Sequence, residues 1–558
     1  MLAMILVLAA CQGGGGTATT GESTVTGGTS GAGTGDGTVR IGWGGAPADL
    51  NPGLGVLTED YTLYDLVYDS PLNIDFQGQF QPELATDWSV SDDGLTWTMT
   101  IRDDVTFHDG TPLTAADVAF SISLYRDTEG FPLLPSYVGV FTSIEAPDAT
   151  TVTLTTEEPI GNFEYRMTGM YVLPSAIWEA IDDPVAFTND DMIGSGPFIL
   201  AGYTQDESVI LEANPDYWGT VPSIDRVIFQ TYANPDARVQ ALINGELDMI
   251  TEFPATAIAS LRNSQNVAIA QGSYFAGRLA DIMFNMIDPA NCPPDGGICS
   301  GHPALRDLEV RRALAHAVDK QQLIDSILLG LGSVGIGMVP AGLTAWFADE
   351  LLAEDYQFDL ELAASMLEEA GYVDTDGDGI RECPTDDCGP TGDLTFRLNF
   401  PTDSDEAPRL ADTLSGWWGE IGVNVQIAGL DSDALTSICC PSFDYDVIIW
   451  SWTSDTDPEG LLAVMLCDEI PTGFSETGFC DPAYDELYAQ QAVETDPAAR
   501  RELIVEMQRI GLDQVPYIIP WYYQRYQAYR TDTYTGWPVE GPVISLEDPA
   551  SLSVLGTG

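Results

Sequence analysis

"ELATDWSVSDDGLTWTMTIRDDVTFHDGTPLTAADVAFSI", residues 83–122, changes its periodicity halfway along. The part "LTWTMTIRDDVTF" (95–107) is rich in Thr, Trp and Val and predicts two strands. Asp109-Gly110-Thr111-Pro112 then predicts a turn, from residues that hydrogen-bond their own backbone or preset its angles. "LTAADVAFSISLY" switches to helical spacing, with Val118, Ile122 and Tyr125 on one face. Thr114 stands where a cap is needed, and Asp117 follows three residues on, where an acid suits the helix dipole. His108 beside Asp109 invites a catalytic reading in a chain with only 3 histidines, but the expected role is a local hydrogen bond at this joint.

Working outward, "SIEAPDATTVTLTT" (143–156) predicts a hairpin around Asp148. Longer helices are expected in "DARVQALINGELDM" (236–249), "LEVRRALAHAVDKQQLIDSILLG" (308–330) and "DLELAASMLEEAGY" (359–372). Strands are expected in "VRIGWGG", "RVIFQTY", "LTFRLNF", "VNVQIA" and "YDVIIWSW". Helices alternating with apolar strands indicate an α/β class, and 558 residues exceed one ordinary core.

The chain carries 86 acidic and 20 basic residues, Lys320 being its only lysine, for a net charge of -66. Phosphate binding needs clustered Lys/Arg, so nucleic acid and an anionic membrane surface are poor partners, and no nucleic-acid partner is expected. The acidity reads as a strongly solvated surface suited to salty surroundings, or as a field that attracts a cationic ligand. At the N-terminus, "MLAMILVLAAC" is an apolar run too short to span a bilayer. Leu8-Ala9-Ala10-Cys11 resembles a bacterial lipobox, with an ordinary cleaved signal peptide as the alternative; the usual basic residues before it are missing. Residues 1–10 are read as signal peptide, Cys11 as the acylated residue, and the Gly/Thr/Ser tract 11–38 as a flexible tether. These place the protein outside the cytoplasm, lipid-anchored to the cell membrane.

Eight further cysteines, an even number in an exported chain, suggest disulfides, and local spacing pairs Cys292 with Cys299 and Cys383 with Cys388. No second Cys/His pair supports zinc. "DTDGDGIRE" offers Asp374, Asp376 and Asp378 as the start of a calcium loop with Gly379 at its turn, although Thr385 stands where the twelfth, bidentate glutamate belongs. No cofactor is expected beyond that structural Ca²⁺, and a plain hairpin turn is the competing reading. No G-x-S-x-G, H-E-x-x-H or P-loop occurs, and no catalytic residue is assigned.

The opening stretch, with "GSGPFIL", "NPDYWG", "ARVQALINGELDMI", "FN", "VRRALAHAVDKQQLI", "AASMLEEAGY" and "CDPAYDEL" following in order, resembles the extracellular solute-binding proteins of peptide-type ABC importers, family 5. The resemblance covers essentially everything after the tether. It implies a type II periplasmic-binding-protein-like fold with two hinged lobes and an extra subdomain on the first. Carried over, lobe I is 39–272 with its subdomain at about 73–184, lobe II is 273–522, and 523–558 return to lobe I. It also implies a monomer that captures a peptide or similar small solute and hands it to ABC permease subunits. A sensor feeding a membrane receptor, or a binder of an oligosaccharide or nickel complex, is the alternative. The family's ligand-reading strand falls on "IIWSWTSDTDPEGL" (448–461). Asp455 then matches the acid that holds the ligand amine, with Trp450, Trp452, Thr453 and Ser454 beside it. An Asp-Pro turn at Asp457-Pro458 is the competing role for this segment. Cys467 and Cys480 match a disulfide loop of the dipeptide-binding members, while Cys439 and Cys440 stay open between a bond and free thiols. Where those members carry a carboxylate-binding arginine, this chain has Pro401, with Arg409 a turn or more away. A strict dipeptide specificity is not implied.

Overall fold

The computed structural model describes residues 37–274, 277–384, 388 and 392–557; the signal peptide 1–10, Cys11, the tether as far as residue 36 and Thr385 lie outside them, and the tether expected to run to 38 gives way at Thr38 to a strand. The chain folds as two α/β lobes. A seven-stranded sheet runs in the order Val267–Gly272, Arg525–Arg530, Met249–Ile250, Thr38–Trp43, Arg226–Thr231, Ser208–Ala213, Phe198–Thr204. A six-stranded sheet runs in the order Gly332–Val334, Tyr517–Tyr523, Arg278–Phe284, Val447–Thr453, Thr395–Pro401, Asn424–Leu430. The first sheet thus draws on residues before Ser273 and on Arg525–Arg530, and the second on residues between. Separate apolar clusters cover the two faces of the second sheet, one built on Ile282, Phe284 and Trp418 and the other on Leu279, Met283 and Ile448.

The opening stretch lies on the first lobe. Ala85–Val90 and Thr96–Ile101 join the hairpin Phe141–Asp148 and Thr151–Thr156 in a four-stranded antiparallel sheet. Its buried Trp97, Met99 and Val152 belong to the same apolar cluster as Val39 and Phe229 of the seven-stranded sheet, so this layer shares the lobe's core. Only one strand, rather than two, forms over 95–107: beyond Ile101 there is a single bridge, Thr106 to Pro112, because Asp109-Gly110 turns the chain at once. The helix Ala115–Asp127 starts as expected, with the Asp117 carboxylate accepting from the backbone and hydroxyl of Thr114 at 2.9 and 3.0 Å. His108 is a tie between segments. Its Nδ1 accepts from the Gly194 amide at 3.3 Å and its Nε2 donates to the Gly196 carbonyl at 3.0 Å, which fixes the tautomer.

Two helical expectations need correction. The 308–330 pattern is broken into Leu308–His316 and Lys320–Ile327, because the Asp319 carboxylate accepts from the Gln322 amide and starts a second helix. The 236–249 pattern ends at Asn244, where Gly245 adopts a left-handed φ of 81° and frees Met249–Ile250 to join the sheet. Among the described residues no helix is long and apolar enough to cross a membrane.

Candidate functional site

Strand Val447–Thr453 lies inside the six-stranded sheet, antiparallel to Arg278–Phe284 with Thr453 opposite Arg278 and Trp450 opposite Asp281. Alternation puts Trp450 and Trp452 on the face packed with Leu279 and Met283, where both are half-buried. The Trp452 indole N–H donates to the buried Glu476 carboxylate at 2.9 Å, so only its ring remains for other contacts. Thr453 ends the strand exposed. Ser454 does not face the cleft as expected. It is buried, its amide donates to the Gly277 carbonyl at 2.7 Å, and its hydroxyl accepts from the Gly277 amide at 2.8 Å. It is a clasp where the chain crosses between the lobes.

Asp455 follows the clasp and points across to the first lobe. Tyr137 Oη donates to its Oδ1 at 3.4 Å, and the phenol of Tyr165 lies close enough to favour its ionised form. The rings of Tyr137 and Tyr165 lie 5.2 Å apart, and Tyr61 stands near enough to feel the Asp455 charge. The carboxylate is reached by solvent yet surrounded by protein atoms, as a group in a cleft must be. Burial pushes its pKa above the ordinary value, against the two tyrosine phenols that favour the ionised form. Among the described residues no lysine or arginine is paired with it.

Asp457, two residues on, is locked differently. Arg500 donates to both its oxygens at 2.5 and 2.9 Å, and both side chains are 1% exposed. The Asp-Pro turn expected at Asp457-Pro458 therefore coexists with a buried ion pair. Next, Glu459 accepts from Asn162 of the first lobe, and the Gly161 amide donates to the Ala492 carbonyl at 2.8 Å. With Tyr137 on Asp455, these contacts hold the lobes together over the cleft.

No arginine stands at the position of the missing carboxylate clamp. Pro401 closes its strand, and Arg409 is exposed with its Nε donating to the Asp405 carbonyl at 3.2 Å. Cysteine sulfurs lie at bonding distance in four pairs: Cys292–Cys299, Cys383–Cys388, Cys467–Cys480 and the adjacent Cys439–Cys440. His302 approaches Cys383 and Cys388, but those sulfurs are bonded to each other. The acidic loop gathers Asp374, Asp376 and Glu382 rather than Asp378. The Asp378 carboxylate instead accepts from the Ile380 amide at 2.8 Å, and Glu382 reaches back to the Thr375 amide at 2.7 Å.

The tyrosines around Asp455 and the partner of Asp457 were not legible beforehand. Tyr137 comes from 318 residues away from Asp455 and Arg500 from 43 residues away from Asp457, and no local pattern marks them.

Comparison with known proteins accords with this arrangement. A dipeptide-binding protein of Pseudomonas aeruginosa is 26% identical over 500 residues, spanning 85% of this chain and 87% of that protein. HbpA2 from Haemophilus parasuis superposes with a TM-score of 0.76 at 22% identity, over 93% of this chain and 100% of that one. The ABC transporter substrate-binding protein CtaP from Listeria monocytogenes gives a TM-score of 0.75 at 25% identity, over 93% and 99%. The family described as bacterial extracellular solute-binding proteins, family 5 Middle, matches residues 79–469, most of the chain. This protein belongs to the family 5 bacterial extracellular solute-binding proteins.

Proposed function

We propose that the protein captures a small peptide by its free amine in the cleft between the lobes and delivers it, closed, to an ABC permease. The observation that carries this reading is Asp455: a carboxylate in the cleft, bridged to the opposite lobe by Tyr137, ringed by tyrosines and lacking a cationic partner among the described residues. An ammonium group would supply that partner through charge-assisted hydrogen bonds, and tyrosine faces add cation–π attraction. A ligand touching both lobes stabilises the closed form over the open one. The P. aeruginosa relative's name, dipeptide-binding protein, supports a peptide as cargo. The lobes are assigned as 39–272 with 523–558, and 273–522; sheet membership supports this division to within a residue, since Thr38 opens a strand of the first sheet and Tyr523 closes one of the second. The protein acts as a monomer, tethered through Cys11, and releases its ligand chemically unchanged.

The test is calorimetric titration of trialanine into wild type and Asp455→Asn. Loss of at least tenfold in affinity, about 1.4 kcal/mol, is expected. N-acetylated trialanine should bind wild type as poorly as trialanine binds the variant. Equal affinities for wild type and variant overturn the amine anchor.

A further inference from the structure

A cavity of about 370 Å³ lies between the lobes beside the Asp455 site, at the smaller end of the roughly 300–1,000 Å³ usual for ligand pockets. Phe80, Trp88 and Tyr165 of the first lobe wall it on one side, and Ala345 and Trp346 of the second on the other. Asp455 does not line it, but two residues tie the places together: Tyr165, whose phenol feels the Asp455 charge, and Asp457, two residues along the chain, both line the cavity.

The arginines at its wall are already paired within the protein, and Glu164 carries one neutral hydrogen bond. Asp457 is held by Arg500 at 2.5 and 2.9 Å, and the Arg500 guanidinium lies 4.6 Å over the Trp346 ring. Glu164 accepts from the Trp88 indole at 3.0 Å. Arg501 donates to the two Glu350 oxygens at 3.2 and 3.1 Å. An anionic occupant would have to take Arg500 or Arg501 from its carboxylate, whereas a neutral ring would meet aromatic faces on both lobes.

We propose that this cavity is a specificity subsite that takes a neutral aromatic or large apolar side chain of the peptide whose amine Asp455 holds. The inference rests on the amine-anchored reading above and adds a preference to it. It also gives closure a second source of energy, since an occupant here is buried by both lobes together. One fully buried phenylalanine side chain supports a gain of about tenfold or more.

The experiment titrates trialanine, Ala-Phe-Ala and Ala-Ala-Phe into wild type, Asp455→Asn and Ala345→Trp. Ala345→Trp places a large ring in the cavity; Ala498→Phe, from the helix at its rim, repeats the test if the first variant fails to fold. Melting curves establish folding. In wild type at least one phenylalanine peptide should bind tenfold or more tighter than trialanine. The cavity-filling variants should abolish that gain and leave trialanine unchanged, while Asp455→Asn weakens all three. Equal affinity of the three peptides for wild type, or a phenylalanine gain that survives filling, overturns the subsite and leaves the amine anchor standing. No binding of any of the three to wild type overturns both.

Discussion

Asp281 sits in the middle of strand Arg278–Phe284, fully buried, and neither of its carboxyl oxygens has a hydrogen-bond partner among the described residues. Burial first, and then the neighbouring Glu476, push its pKa well above the ordinary carboxyl value. Glu476 is buried as well and is raised from 4.5 to about 7, despite hydrogen bonds from Trp452 at 2.9 Å and Tyr517 at 3.3 Å. The groups facing this pair are the phenols of Tyr445 and Tyr517, the indole of Trp452 and more distant Asp446; among the described residues no cation is bonded to either acid. An unpaired buried charge is costly, so the folded protein retains protons that the unfolded chain releases. A raised folded-state pKa gives stability that is present in full below the unfolded value of 4.5 and is lost as pH rises through about 7. Glu476→Gln should remove this slope. Its denaturation free energy should gain on wild type by on the order of 3 kcal/mol between pH 4.5 and 7.5. Parallel profiles for the two proteins would show that Glu476 does not titrate in that window. Because Glu476 holds the Trp452 indole, the same substitution reports on how firmly the strand before Asp455 is fixed.

At the scale of one element, the helix Ala115–Asp127 shows how much a local pattern can dictate. Thr114 and Asp117 close on each other as their spacing predicts, and the buried Asp117 also accepts from the amide and hydroxyl of Ser175 at 3.1 and 2.7 Å. Four donors therefore converge on one carboxylate. Asp117→Ala removes the cap and leaves buried donors without an acceptor, and should cost about 2–3 kcal/mol in urea denaturation. A loss under about 0.5 kcal/mol would mean that water replaces the carboxylate and that the cap contributes little. The sequence pattern reaches the Thr114 half of this network and not the Ser175 half, which is 58 residues away. The same division runs through the chain. Strands with strong apolar runs, such as Val447–Thr453, lie where the pattern puts them. The break at Asp319 inside an apparently continuous helix was hidden, because an aspartate can face solvent within a helix or cap a new one, and only tertiary packing chooses. At the end of Val447–Thr453, Asp455 turns out toward the first lobe, while Ser454 beside it turns inward rather than toward the cleft as expected. Adjacent residues on a turn point to different sides, and Gly277, which takes up Ser454, is 177 residues distant.

Over the whole molecule, charge opposes the compact state. A net charge of -66 on 558 residues means that an average acid meets other acids within the screening distance more often than a base. Some surface arginines do find partners, as in Arg226–Glu212 at 2.7 Å and Arg102–Asp104 at 2.9 Å. Exposed pairs of this kind contribute roughly 0–1 kcal/mol each and weaken as salt is added. The two effects have opposite signs in a salt titration, so the imbalance of 86 acids to 20 bases decides between them. Ion pairs cannot outnumber the bases, and several bases are already buried and shielded from salt, including Arg500 with Asp457 and Lys320 with Asp355 at 2.7 Å. Repulsion among the remaining acids must therefore dominate. The screening length falls from about 10 Å at 0.1 M to about 3 Å at 1 M, spanning the distances between surface carboxylates. The melting temperature at pH 7 should rise by several degrees from 0.05 to 1 M sodium chloride and then level off, as little repulsion is left to screen. At pH 5 the rise should be smaller, because the acids whose pKa burial raises, among them Asp65 at about 6 and Asp548 at about 7, are by then mostly protonated. A melting temperature that falls with salt at pH 7 would mean that the surface ion pairs outweigh the net charge. In that case the acidity would have to be explained by what the cleft attracts rather than by the medium that surrounds the protein.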